Sequence, residues 1–288
     1  MRRFALCLLA TSVLGLGLGQ DATAAPPRRP APPPMPVIHD WTGFYAGAHV
    51  GWAWMQKDWG DTGSSCLGLF GSVGCASNLG SHSANALLGG GQVGVNFQKD
   101  IWVFGLEGQF SFSDLSGSHS RANSLTSADG FSTFTGTQTF ASQVRDLGTL
   151  AARIAVATGA TGDTLFFLKG GASFAHDDFA LNMTGVGFCP RTRCSFPVAS
   201  SGSLTGTQDR WGWMFGFGIE RVLWERWSGK IEYDFLGLGT QNASLTGINC
   251  VTPFGGPQLC SPGSRVFSID QNIQLIKIGI NYHFGAMP

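Results

Sequence analysis

The chain has 288 residues with 18 basic and 18 acidic side chains, so no net charge draws it to nucleic acid, and its one basic run is the short "PPRRP". Glycine (42 residues), tryptophan (9) and phenylalanine (22) are abundant, whereas charged residues make up only 12%. That mixture excludes an ordinary helical enzyme and a disordered chain and favours a β protein.

Residues 1–24, within "MRRFALCLLATSVLGLGLGQDATAA", combine a basic start, an apolar stretch and small residues at Ala22, Ala24 and Ala25. This is the pattern of a Sec-type signal peptide cleaved after Ala24. Residues 25–40 open with "APPRRPAPPPMP" and are predicted to form a proline-rich periplasmic tether, because proline lacks the donor that a sheet requires. Residues 41–288 are predicted to be one β-barrel. No segment after the signal reaches the 18 or more apolar residues of a membrane helix, so a membrane-bound form would cross with strands.

Eight strands are predicted, at residues 41–55, 86–98, 101–113, 144–157, 165–176, 210–223, 227–239 and 273–284. Short connections (Lys99-Asp100, the "TGATGDT" stretch, and residues 224–226) alternate with four long ones at residues 56–85, 114–143, 177–209 and 240–272. An even strand count with alternating short and long connections puts all long loops at one end. That is the pattern of an all-β, eight-stranded antiparallel transmembrane β-barrel with short periplasmic turns and four long extracellular loops.

Face parity supports the assignment. A two-residue turn at Lys99-Asp100 pairs Phe97 with Trp102 and Gln92 with Glu107, and a turn around Glu225 pairs Phe217 with Tyr233 and Glu220 with Lys230. Bulky apolar residues such as Phe44, Val50, Phe104, Leu106, Leu150, Ile154, Phe166, Leu168, Ile231 and Ile278 gather on one face. The other face carries glycines and a balanced set of charges, Glu107, Arg153, Lys169, Glu220, Lys230, Glu232, Asp234 and Lys277. An eight-stranded barrel is only wide enough inside for side chains. The aromatic face therefore points to lipid, and "RWGWMFGFGIE" (residues 210–220) is a strand whose glycines leave room for long interior side chains. Two aromatic girdles follow: Trp41, Trp102, Trp224 and Trp227 at the short-turn end, and Trp52, Trp54, Trp211 and Trp213, with Trp59, near the long-loop end.

Six cysteines fall as three close pairs in the predicted loops, Cys66/Cys75, Cys189/Cys194 and Cys250/Cys260. In an oxidising compartment these are expected to be local disulfides. The competing metal reading lacks CxxC spacing and interleaved histidines.

The segments "WTGFYAGAHVGWAW", "GGGQVGVNF", "WVFGLEGQFSF", "LGTLAARIAVATG", "LFFLKGGASFA" and "IKIGINYHF" together resemble the porin-like outer-membrane β-barrel family of Gram-negative bacteria, often called outer membrane immunogenic proteins, and the OmpA-type eight-stranded membrane domain. The resemblance spans residues 41–284. It implies a location in the cell outer membrane, lipid as surroundings, and the export and barrel-assembly machinery as partners. It also implies an assembly signal at Tyr282 and Phe284, although "GAMP" follows here where the family ordinarily ends, and the paired loop cysteines are not expected across the family.

Function is then weighed among classes. The inward charges form either a mutually neutralising plug or the lining of a narrow, gated diffusion pore; the balanced count favours the plug. No catalytic constellation is legible: His82 sits beside Ser81 and Ser83 rather than two residues away, and His119 falls in a loop. No cofactor is expected. His176, beside loop acids, reads as a solvated residue rather than a ligand. The expectation is a non-enzymatic barrel with a structural, envelope-integrity and surface-display role. The pore is the alternative, and loop binding of haem or a host component is a second one.

Overall fold

In the computed structural model the described residues are 39–62, 67–68, 71–72, 78–126, 133–188, 198–253 and 255–285. The signal-peptide and tether assignments up to residue 38 lie outside them, as do Cys66, Cys75, Cys189 and Cys194. The described residues form strands β1 (Gly43–Asp61), β2 (Leu67–Gly68), β3 (Gly71–Ser72), β4 (Asn78–Lys99), β5 (Trp102–Thr126), β6 (Thr133–Thr158), β7 (Thr164–Phe188), β8 (Val198–Trp224), β9 (Trp227–Pro253) and β10 (Leu259–His283). Strands β2 and β3 pair only with each other. The eight long strands close a barrel in the order β1-β10-β9-β8-β7-β6-β5-β4, antiparallel throughout.

Two turns at the short-connection end place a non-glycine residue in the left-handed region, Asp100 at φ 57° and Glu225 at φ 42°. The first turn corrects the expected register: Lys99 pairs with Trp102 and Gly94 with Glu107, so the turn residues are Asp100-Ile101 rather than Lys99-Asp100. The shift is two residues, which leaves every side chain on its expected face. At the second turn Phe217 pairs with Tyr233 and Glu220 with Lys230, with an irregularity between Val222 and Trp224.

The strands are much longer than a bilayer crossing needs. Strand β7 has 25 residues and β8 has 27. At ~3.3 Å per residue and a tilt of about 40°, such strands rise roughly 60 Å along the barrel axis, against an apolar band of about 25 Å. Most residues of the four expected long loops are therefore strand that continues the barrel past the membrane. These stretches escaped detection because their pattern is inverted. Below the upper girdle the bulky residues point out, as do Phe44 and Leu150, which are 68% and 64% exposed. Above it they point in: Trp59, Phe140, Phe179, Leu181, Leu204, Leu245 and Phe267 are buried in the lumen, and hydroxyl residues such as Thr137 and Thr205 face outward. Register shifts at Phe112/Leu115, Val144/Asp146 and Gln271/Asn272 lie near this change of pattern.

Candidate functional site: the filled barrel interior

The interior is stacked in layers. At the short-turn mouth Trp41, Val103, Ala155, Ala157, Leu165 and Phe167 form an apolar cluster. Trp41 is fully buried, its Nε1–H donating to the carbonyl of Gly162 at 2.9 Å. It thus closes the mouth and does not belong to the lipid-facing girdle in which its position had placed it. Parity misplaced it because Trp41 precedes the first strand residue, Gly43, and is not bound by the strand's alternation.

The next layer holds the eight predicted charges, each at most 3% exposed. Arg153 Nη2 lies 2.5 Å from Glu220 Oε2, and Glu220 Oε1 also accepts from Ser228 Oγ and Asn281 Nδ2. Lys169 Nζ reaches Glu107, Glu232 and Asp234 at 3.3, 2.9 and 3.1 Å. Lys230 Nζ reaches Glu107 at 2.9 Å and Glu232 at 3.2 Å. Lys277 Nζ lies 3.0 Å from Glu232 and 2.6 Å from Asp234, and also donates to Gln109. Four acids thus face four bases, and most members contact several opposite charges. This arrangement makes burial of ions tolerable, because the desolvation cost is offset only when geometry and hydrogen bonds satisfy each group.

Glycine supplies the room. A Cβ on Gly216 would collide with Asp234 Oδ1, and one on Gly94 would collide with the ring of Tyr45.

Further polar residues that sequence parity passed over complete the layer. Tyr45 Oη donates to Glu107 at 2.8 Å, and Gln109 Nε2 donates to both Glu107 and Glu232. His49 bridges Gln92 and Ser111, and His283 approaches Ser228 at 2.9 Å. Tyr45 and His49 were legible in principle, since they alternate with the outward Phe44 and Val50. The Arg153 guanidinium also lies 4.0 Å from the Phe167 ring centroid, which ties the network to the apolar mouth.

Above the network a second apolar layer fills the bore, including Met55, Leu88, Leu115, Leu147, Met214, Leu236, Ile273 and Leu275. Higher still, Lys57 pairs with Asp177 at 2.6 Å, Arg210 stands 3.8 Å from the same carboxylate, and both basic side chains are fully buried. The aromatic layer around Trp59 caps this set, with His82 and His119 against it. Trp59, read from sequence as part of the upper girdle, is a core residue at 1% exposure. Its odd numbering places it with Met55 and Lys57, on the opposite face from Trp52 and Trp54.

On the outer surface Trp52, Trp54, Trp102, Trp211, Trp213 and Trp224 are exposed. Trp227 is half-buried between Trp224 and Tyr282, and Tyr282 in turn packs on Phe284. Phe284 donates its backbone N–H to Phe44, joining the chain's last aromatic to β1. Cys250 and Cys260 stand opposite each other on β9 and β10 and are disulfide-bonded. His176 faces outward just above the girdle with Nδ1 2.6 Å from Asp209, a hydrogen bond that raises its pKa above the ordinary histidine value.

A closed antiparallel barrel with an apolar outer belt and a polar network sealed inside defines a lipid-embedded β-barrel. The family model described as the outer membrane protein beta-barrel domain matches residues 34–254, and the chain belongs to that family. No curated protein matches the sequence. Similar solved structures include OprG from Pseudomonas aeruginosa (11% identity, 86% of this chain and 99% of that one, TM-score 0.38). The attachment invasion locus protein Ail of Yersinia pestis has 9% identity over 84% and 99% of the two chains, with a TM-score of 0.32. The outer membrane protease OmpT of Escherichia coli has 9% identity over 85% and 98%, with a TM-score of 0.24. Likenesses this weak say nothing of this chain's role.

Proposed function

We propose that this chain is a sealed, non-enzymatic outer-membrane barrel with a structural role, supporting the envelope and displaying a rigid β-wall and its loops above the membrane. The observation that carries this reading is the layering of the bore. A charge network that could line a narrow pore lies between two apolar clusters, around Trp41 below and around Leu147 and Leu236 above. An ion would have to open both clusters and also break pairs such as Arg153–Glu220. The aromatic layer around Trp59 adds a third barrier. In this reading the paired loop cysteines and the long strands stiffen a surface that partners can meet, and Tyr282 and Phe284 present the assembly signal.

The test is planar-bilayer conductance of the refolded barrel, with heat-dependent gel mobility reporting that it is folded. The expected result is silence from a folded barrel. Steady openings whose selectivity changes in Glu107→Gln or Arg153→Gln would establish a pore and overturn the proposal.

A further inference from the structure

We propose that His82 and His119 form a two-histidine site for a borderline transition-metal dication, Cu(II) foremost, inside the part of the barrel that rises above the membrane. His82 is on β4, directly opposite Lys57 of β1, which is three residues past the girdle residue Trp54. His119 is on the neighbouring strand β5, opposite Phe140. The two Nδ1 atoms converge to 3.0 Å. Their far nitrogens are both held by oxygens: His82 Nε2 lies 2.8 Å from Ser142 Oγ, and His119 Nε2 lies 3.3 Å from the carbonyl of Leu79. Metal-binding imidazoles are commonly oriented this way, with the second ring N–H fixed by an oxygen acceptor.

The separation fits a metal. With metal–nitrogen bonds of about 2.0–2.1 Å, two ligands at a right angle stand about 2.9 Å apart and two at the tetrahedral angle about 3.3 Å apart. The observed spacing, at which the two nitrogens are hydrogen-bonded without the metal, is near the first value, the separation of neighbouring ligands on tetragonal Cu(II) or Ni(II). The ring positions are built into the fold. A Cβ on Gly80 would meet the His119 ring at 2.8 Å, and one on Gly117 would meet the His82 ring at 2.8 Å. Phe140 stacks on His119 at 5.0 Å and 10°, and Trp59 stands 6.2 and 6.5 Å from the two rings.

Both rings lie outside the lipid band and are held neutral at ordinary pH, so protons compete weakly for the lone pairs. Burial, then the nearby His119 and Lys57, brings His82 down to about 4, and burial lowers His119 as well. The neighbouring Lys57 charge is offset by its pairing with Asp177. Among the described residues no third histidine, cysteine or carboxylate joins the pair, so water completes the coordination. Before binding, the neutral chain runs from the Ser142 hydroxyl to His82 Nε2, and from His82 Nδ1–H to His119 Nδ1. On binding, His82 carries its proton on Nε2 instead and donates to Ser142 Oγ. The metal exchanges two waters for the two Nδ1 lone pairs, and no net proton is released.

The same three residues do not suit nucleophilic catalysis. Ser142 is only 4% exposed, and a histidine titrating near 4 is too weak a base to activate a hydroxyl at neutral pH.

The experiment is Cu(II) titration of the refolded full chain, followed by tryptophan quenching and by electron paramagnetic resonance. The expected result is one saturable site with superhyperfine splitting from two equivalent nitrogens, weakened at least about tenfold in His82→Gln and in His119→Gln. His176→Gln, at the exposed outer histidine, should leave it unchanged. Half-buried His119 provides the more tolerant variant, and heat-dependent mobility shows that each barrel has folded. Absence of saturable binding in the wild type, retention of affinity in folded His119→Gln, or loss of the site in His176→Gln would each overturn the assignment.

Discussion

The lower and upper halves of this barrel are made from the same strands but follow opposite rules. On β6, Ile154 meets lipid while Arg153 points inward; further along the same strand Phe140 is buried inside while Thr139 faces water. The inner network at membrane level has four acids against four bases, whereas the upper interior is mainly aromatic and aliphatic, with Lys57, Asp177, Arg210, Gln271 and the two histidines set among the apolar residues. What surrounds a strand decides what it can bury. Lipid accepts the apolar face, so polarity is driven inward and must be fully paired; water accepts hydroxyls, so apolar residues return to the inside.

The largest predicted effect tests the pairing that lipid imposes. Arg153→Ala leaves Glu220 buried without its cation and should cost about 3–5 kcal/mol in thermal or urea unfolding of the refolded barrel. Replacing both partners, Arg153→Met with Glu220→Leu, should recover much of that loss, because no uncompensated charge remains. A single mutant as stable as the wild type would show that the network is not mutually dependent.

The inversion itself predicts the next effect. Leu168 points to lipid between Ile154 and Phe217, so Leu168→Lys should cost about 2–4 kcal/mol near the bilayer midplane. Thr137, outward on the upper wall, should accept Thr137→Lys within about 0.5 kcal/mol. Equal costs at the two sites would place the lipid boundary elsewhere than at the Trp54 and Trp211 level.

The same contrast governs what the sequence made legible. The lower half was readable because an aromatic outer face alternating with glycine and charge suits a lipid-facing strand and little else, and a register shift of two residues at Asp100-Ile101 does not change a face. The upper half was read as loop because Ser, Thr and Asn stretches such as "SHSRANS" and "TFTGTQTF" resemble connections when only outward apolarity is sought. Their inward residues, His119, Phe140 and Leu204 among them, recur every second position but too sparsely to stand out. The convergence of His82 and His119 was hidden for a different reason. They lie 37 residues apart in the chain and meet only where β4 and β5 run on beyond their last paired residues, Leu88 and Ser113.

The smallest effect separates the halves by pH. His82 titrates near 4 when folded and near 6.5 when unfolded, so the unfolded chain takes up its proton first as the solution is acidified. The stability it contributes is therefore complete above about pH 6.5 and lost progressively down to about pH 4. The loss should be about 1–2 kcal/mol, less than the full shift implies because the upper chamber lies close to water. His176 acts in the opposite sense, since Asp209 raises its pKa and its contribution is present in acid and lost on going alkaline. Acidification from pH 7 to pH 4 should thus loosen the packing around Trp59, seen in near-ultraviolet circular dichroism, while the barrel keeps its folded gel mobility. His82→Gln should remove that step and His176→Gln should leave it. If the acid step survives in His82→Gln but disappears in His119→Gln, the sensitivity belongs to His119; if it survives in both, it belongs to carboxylates, and the upper chamber is not the weaker half in acid.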